Sequence, residues 1–107
     1  MEEWTSLLSE ELINAAYTAA ASRELAWTKA NALMVIKLLG ANGYEISGID
    51  TWMIKEKQVI PYCYDWDRDK NTKSPTDFVE MFSWDPKDTF PHTSEPFFNI
   101  LPVPKTT

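Results

Sequence analysis

The single histidine and the single cysteine of this 107-residue sequence are its first candidates for catalysis, and each is better explained by a structural role. His92, the single histidine, lies in a proline-rich stretch, and the sequence assigns it no nucleophile or second base. Cys63, the single cysteine, lies on a strand-like run without the basic neighbours that activate a thiolate. We interpret His92 as a surface or half-buried side chain and Cys63 as a packed core residue. The sequence therefore predicts no catalytic residues, no enzyme activity and no cofactor.

The densest group of carboxylates, residues 65–69, resembles the opening of a calcium-binding loop. Such a loop needs glycine at its sixth position and a bidentate glutamate at its twelfth, where this sequence has Lys70 and Thr76. Arg68, Lys70 and Lys73 also balance the three aspartates of the segment. We therefore predict no metal site here.

Asp50 is unusual because aspartate is disfavoured inside a strand, and it lies between Ile49 and Thr51 in an alternating run. Its carboxylate is interpreted equally well in two ways. It is satisfied within the fold at an edge or by a loop, or it is held on a rigid strand to meet a basic partner.

Three helices are predicted to position these residues. Ser9 caps the first, whose apolar and small residues recur at helical spacing until about Ser22. Thr28 caps the second, which ends at Asn42-Gly43. Ser74 caps the third, with Pro75 in its first turn, and Pro86 ends it, so that it spans residues 75–84.

Strands are predicted between the second and third helices. Residues 45–66 alternate in a pattern typical of an antiparallel hairpin with its turn near residues 56–58, and Pro61 places the second strand at an edge or a bulge. The proline-rich C-terminal segment is predicted to be extended, with residues 97–101 as a further strand candidate. The expected fold is one α+β domain over residues 1–107. Two N-terminal helices pack on a small antiparallel sheet, the hairpin 45–66, followed by the short helix 75–84 and the extended tail.

The net charge of −6, from 16 acidic and 10 basic residues, narrows the range of partners. It argues against direct binding of nucleic acid or of anionic lipid, and it favours a basic protein partner. No apolar run approaches membrane-spanning length, the first residues lack a signal-peptide pattern, and a single cysteine forms no intrachain disulfide. These features predict a cytoplasmic protein with no membrane partner.

The stretch from residue 26 to residue 66 resembles a family of bacterial polymorphic-toxin immunity proteins, found beside contact-dependent growth inhibition toxins. The family pattern is a helix carrying Ala-Leu, a strand with a glycine-aspartate motif, a short turn and a strand ending in an Asp-x-Trp-like motif. The matching residues are Ala32-Leu33 with Ile36, Gly43 to Asp50 containing Ser47-Gly48-Ile49-Asp50, and Tyr64-Asp65-Trp66.

The resemblance implies a protein without catalysis that binds and neutralises a cognate toxin domain stoichiometrically. Many such toxins are basic nucleases, including ones that cleave transfer RNA. Aromatic and acidic side chains of the hairpin region are the expected partner-binding residues. They are Asp50, Trp52, Tyr64, Asp65, Trp66, Asp67 and Asp69.

Two alternatives remain open at the level of sequence. A small acidic accessory or scaffold protein of a phage or plasmid would share this composition, and a toxin gene next to this one would distinguish the two. A small enzyme with an unrecognised site is the other alternative, and a deep polar pocket around Asp50 or His92 would favour it. Trp52 and Trp66 are also interpreted equally well as core residues.

Overall fold

One antiparallel sheet of five strands, covered by helices on one face, organises the part of the chain that the computed structural model describes. That part comprises residues 3–70, 72–84 and 95–105, with the side chains of residues 3, 63 and 64 left out. The elements in chain order are a 3-10 helix Glu3–Leu7, α1 Glu10–Ala15, β1 Tyr17–Thr18, β2 Leu25–Trp27, α2 Lys29–Ala41, β3 Tyr44–Lys55, β4 Gln58–Asp67, α3 Pro75–Met81 and β5 Phe97–Pro104.

The strand order in the sheet is β1-β2-β5-β3-β4, so the last strand of the sequence lies at the centre. β5 pairs with β2 on one side and with β3 along its whole length on the other. β4 pairs only with β3 and forms one edge, which is where Pro61, lacking an N–H donor, was expected.

One face of the sheet carries the hydrophobic core. Register places Trp27, Phe98 and Thr51 on this face, and all three side chains are fully buried. The apolar residues of α2 pack against it, with Val35 and Leu39 fully buried. The indole N–H of Trp27 donates to the carbonyl of Leu12 at 2.8 Å, which satisfies the one polar atom of a buried ring.

The caps at Ser9 and Ser74 and the end of α2 at Gly43 were predicted correctly. Ser9 Oγ accepts the backbone N–H of Leu12 at 3.2 Å, and Ser74 Oγ accepts that of Asp77 at 3.1 Å. Gly43 follows α2 with a φ of 84°, the left-handed conformation that ends helices and favours glycine. Thr28 occupies the N-cap position of α2 without a side-chain hydrogen bond to the helix.

The predicted architecture of two N-terminal helices on a small hairpin sheet is wrong, although the structure is α+β. The first helix ends at Ala15 instead of continuing to Ser22, and residues 17–18 and 25–27 form an antiparallel strand pair. Alanines favour a helix by propensity, but the Tyr17 ring packs edge-on against Phe97 of β5 at 6.1 Å between centroids. This tertiary contact, which no local pattern displays, favours the strand.

The C-terminal segment is also not an extended tail, because residues 97–104 form the central strand β5. Prolines argue against a central strand because they lack an N–H for the sheet. Pro102 and Pro104, however, lie where β2 no longer pairs with β5. A missing N–H therefore removes no bond of the sheet there. α3 ends at Met81, earlier than the predicted residue 84, and Pro86 lies outside the described residues.

Candidate binding surface

The second face of the sheet, opposite the helices, carries the polar residues of the hairpin. Asp50 on β3 is paired in register with Asn99 on β5, and Asn99 in turn with Ala26 on β2. Side chains of directly opposed residues in an antiparallel pair project from the same face, about 5 Å apart at Cβ. Asp50 and Asn99 are therefore neighbours on this second face.

The Asp50 carboxylate is half-buried and has no hydrogen-bond or ion-pair partner among the described residues. On the β4 side it lies opposite an irregularity, since Ile49 pairs with Trp66 and Thr51 already with Tyr62. Burial raises the pKa of Asp50 above its ordinary value of 3.8, and the negative charges of Asp65 and Glu24 raise it further.

Three more aspartates follow on β4 and in the turn that leaves it. Asp65 is exposed, and Asp67 is half-buried and accepts the backbone N–H of Asp69 at 2.9 Å. This bond is typical of aspartate-stabilised turns and fixes the turn. Arg68 forms an ion pair with Glu45 and lies 3.6 Å from the Asp69 carboxylate.

A shallow cavity of about 600 Å³ brings these groups together. Four aspartates line the cavity, and we call them together the acidic surface: Asp50, Asp65, Asp67 and Asp69. Only two basic residues, Arg68 and Lys70, line it as well, so the cavity is negative. Leu101 contributes an apolar wall and is 39% exposed.

The two tryptophans expected at the same surface are buried, although Trp66 is among the residues that line the cavity. Trp52 is 7% exposed and Trp66 4% exposed, and the indole N–H of Trp66 donates to the carbonyl of Lys73 at 2.9 Å. Trp66 belongs to the hydrophobic core. Of the two interpretations left open by the sequence, burial favours the core for both tryptophans. The side chain of Tyr64 and the whole of His92 lie outside the described residues.

Asn99, Leu101 and Glu24 border the acidic surface and were missed by the sequence analysis. Asn99 is 3% exposed and its Nδ2–H donates to the carbonyl of Leu25 at 2.9 Å, but its Oδ1 has no hydrogen-bond partner in the described part of the chain. A polar residue inside the apolar run 97–101 was the available signal. The position of Asn99 does not identify it as part of a central strand when the proline-rich segment is interpreted as an extended tail.

The described residues contain no group of three or more histidine, cysteine, aspartate or glutamate side chains able to hold a metal ion. Within the same residues, no helix is long and apolar enough to cross a bilayer.

Comparisons of the chain with protein-family models, with curated proteins and with solved structures returned no match. The resemblance to polymorphic-toxin immunity proteins therefore rests on the motif residues alone and stays a prediction.

Proposed function

We propose that the protein is an immunity protein that binds a basic cytotoxic domain, a nuclease of the transfer-RNA-cleaving kind, and neutralises it by stoichiometric protein–protein inhibition in the cytoplasm. The contact is made by the acidic surface, with Asp50 at its half-buried centre. No catalysis, cofactor or metal is involved on the side of this chain.

The Asp50 carboxylate carries the proposal. It is half-buried, has no partner among the described residues, and lies beside the like charge of Asp65. Each of these features costs folding free energy, because an ionised group loses water without gaining a compensating donor. A residue that destabilises the free chain is expected where a function requires it. The group that would compensate the Asp50 carboxylate is a cation.

The surrounding groups support the same conclusion. The turn that holds Asp69 is fixed by the Asp67 side chain and by the backbone N–H of Arg68, which donates to the carbonyl of Ser47 at 3.1 Å. The carboxylates are therefore preorganised, which reduces the entropic cost of binding. The net charge of −6 adds long-range attraction to a basic domain.

Charge reversal tests the proposal directly. We expect the variant with Asp65, Asp67 and Asp69 all changed to lysine to lose protection of cells that express the toxin domain encoded beside this gene. The physical reason is that the altered surface repels a basic partner. Cell survival on co-expression and the affinity of the purified pair are the measurements.

The matched control reverses three exposed carboxylates outside the acidic surface, at Glu11, Glu80 and Glu95. It changes the net charge by the same amount and should keep protection. Thermal melts verify that both variants fold. Full protection by the folded triple-aspartate variant would remove the acidic surface from the interface. Absence of any toxin gene beside this one would favour the scaffold alternative.

A second candidate, a small hydrolase, is favoured by one observation. The cavity next to Asp50 places a carboxyl group with a raised pKa beside a second carboxylate, Asp65, and such pairs serve in acid–base catalysis. The cavity is shallow and Asp65 is exposed, so water is not kept out. Hydrolysis of model glycosides or esters that is lost in Asp50→Asn would favour this candidate over the inhibitor.

A further inference from the structure

On the helix side of the molecule, away from the acidic surface, α2 leaves one of its sides open to solvent. Positions 30, 34, 37 and 41 recur at helical spacing, so they form one row along α2, and all four are exposed. Met34 in this row is 55% exposed. The opposite side of α2 packs in the core, and the helix has only three polar side chains, at residues 29, 31 and 37. A helix that is apolar on nearly all sides is typical of one that is covered on more than one side.

α3 extends this surface next to the first turn of α2. The Lys29 ammonium donates to the carbonyl oxygens of Glu80 at 3.0 Å and of Phe82 at 3.1 Å. These bonds fix the end of α3 beside the start of α2, and Met81, between the two acceptors, is 65% exposed. Lys37 lies two steps of four residues after Lys29, so it is on the flank of α2 that faces α3. We call positions 30, 34, 37 and 41, together with Glu80 and Met81, the α2–α3 face.

The charges of the α2–α3 face are of both signs. α2 carries no carboxylate, although the chain as a whole has a net charge of −6. Lys37 on α2 and Glu80 on α3 are both exposed, and neither forms an ion pair among the described residues. Repulsion between two copies of this acidic chain is therefore weaker here than at the acidic surface, and each copy offers a cation and an anion that a second copy can meet.

We propose that the α2–α3 face binds a second copy of the chain in a two-fold symmetric dimer. The two-fold axis passes between positions 34 and 37, so the two α2 helices run antiparallel and Ala30 lies opposite Ala41 of the second copy. These small side chains let the two helices approach closely, because the side chains at a helix contact set the distance between the axes. Met34 packs on the alkyl stem of Lys37 of the second copy.

The antiparallel arrangement also pairs the charges. The start of one α2 lies beside the end of the other, so α3 of each copy borders the second half of the opposite α2. Lys37 then faces Glu80 of the second copy, and the symmetry forms this ion pair twice. α2 has 13 residues and is about 20 Å long, so the contact is smaller than the roughly 1,600 Å² of a standard interface. The dimer is therefore weak, and it leaves both acidic surfaces free.

Exchange of the two charges tests the pairing. We expect sedimentation equilibrium of the full chain to show a monomer–dimer equilibrium with a Kd of roughly 0.1–1 mM. Lys37→Glu and Glu80→Lys should each weaken the dimer by roughly tenfold, because each places like charges together at two symmetric contacts. The double variant, which exchanges the charges, should restore the dimer. Lys55→Glu and Glu11→Lys are the matched controls, since both residues are exposed and lie outside the α2–α3 face.

A chain that remains monomeric at about 1 mM would overturn the second copy and leave the α2–α3 face to a different partner. Single variants no weaker than their matched controls, or a double variant as weak as the single ones, would overturn the antiparallel pairing. Thermal melts verify that each variant folds. Dimerisation is independent of the proposed function, since a monomeric variant keeps the acidic surface and should still protect cells from the toxin.

Discussion

Asp50 and Asn99 are opposed in register, and each carries an acceptor for which the described residues supply no donor. Among the described residues, neither Asn99 Oδ1 nor the Asp50 carboxylate has a hydrogen-bond partner. Protonation of Asp50 would remove its charge and supply an O–H donor at the position opposite Asn99. The pair therefore links the stability of the free chain to pH.

The sign of this linkage follows from the raised pKa of Asp50. The folded chain binds the Asp50 proton more tightly than the unfolded chain, so the stabilisation by that proton is fully present below the ordinary value of 3.8. It is lost as the pH rises through the higher folded pKa. At neutral pH the ionised carboxylate therefore destabilises the fold.

Asp50→Asn should raise the free energy of unfolding at neutral pH by about 1 kcal/mol, discounted for the partial exposure of the group. It removes the charge and supplies an amide donor at the position opposite Asn99. Below the pH window the difference should shrink, because protonated Asp50 is itself a donor. Urea denaturation in acidic and neutral buffers measures the effect.

Asp69→Asn is the control for that experiment, since its side chain is 81% exposed and it should change little at either pH. Asp50→Asn should raise the stability of the free chain but lower its affinity for a toxin domain. Loss of a charge that is desolvated in the interface costs roughly 2–5 kcal/mol of binding free energy. Lower stability of the Asp50→Asn variant at neutral pH would instead assign the carboxylate a structural role within the fold.

The sequence singled out Asp50 by residue type alone, because aspartate inside a strand pattern is visible without a structure. Asn99 could not be paired with Asp50 in this way, since their register joins strands 49 positions apart in the chain. The burial of Trp52 was equally out of reach, because its strand is apolar on both faces and the pattern does not indicate which face is covered.

At the scale of elements, features encoded within a few residues were predictable and features set by distant pairing were not. The caps at Ser9 and Ser74 and the bounds of α2 follow from short local patterns. β1, β2 and β5 depend on partners far away in sequence, and propensity gave the wrong structure for β1. The hairpin turn was placed correctly, but its left-handed φ values of 52° at Glu56 and 64° at Lys57 were not foreseen, since that turn usually contains glycine or asparagine.

Two glycines near the end of α2 should respond to alanine in opposite ways. Gly40 is an exposed helical residue, and a Cβ there would meet nothing within 4 Å. Gly40→Ala should stabilise the protein by about 0.5–1 kcal/mol, because alanine loses less conformational entropy in a helix. Gly43 also has open space around it, but its φ of 84° is strained for alanine.

Gly43→Ala should therefore destabilise the protein by roughly 1–2 kcal/mol. The two variants control for each other, since both add one methyl group at an uncrowded position within three residues. Chemical denaturation gives both free energies of unfolding. Stabilisation by both substitutions would contradict the left-handed conformation of residue 43 and the end of α2 that depends on it.

At the scale of the whole molecule, the two faces of the sheet have different tasks. One face carries the helices and the hydrophobic core, and the other concentrates Asp50, Asp65, Asp67 and Asp69 around a shallow cavity, with Glu24 nearby. An uneven distribution of charge orients a basic partner as it approaches, whereas a uniform negative charge would only attract it. The acidic surface is therefore the part of the molecule that a basic partner meets first.

This arrangement predicts how the rate of association depends on salt. The rate constant for binding to the basic toxin domain should fall by roughly tenfold from low to physiological ionic strength, because salt screens charges beyond about 8 Å, while the dissociation rate should change little. Stopped-flow fluorescence of the tryptophans gives both rates.

The variant with lysine at residues 65, 67 and 69 should associate slowly at every salt concentration. The variant with reversed charge at Glu11, Glu80 and Glu95 has the same net charge but keeps the acidic surface, so it should retain more of the salt dependence. Equal slopes for these two variants would show that only net charge matters. A flat slope for the unaltered protein would remove electrostatic steering, and the affinity would then depend on apolar contacts such as that of Leu101.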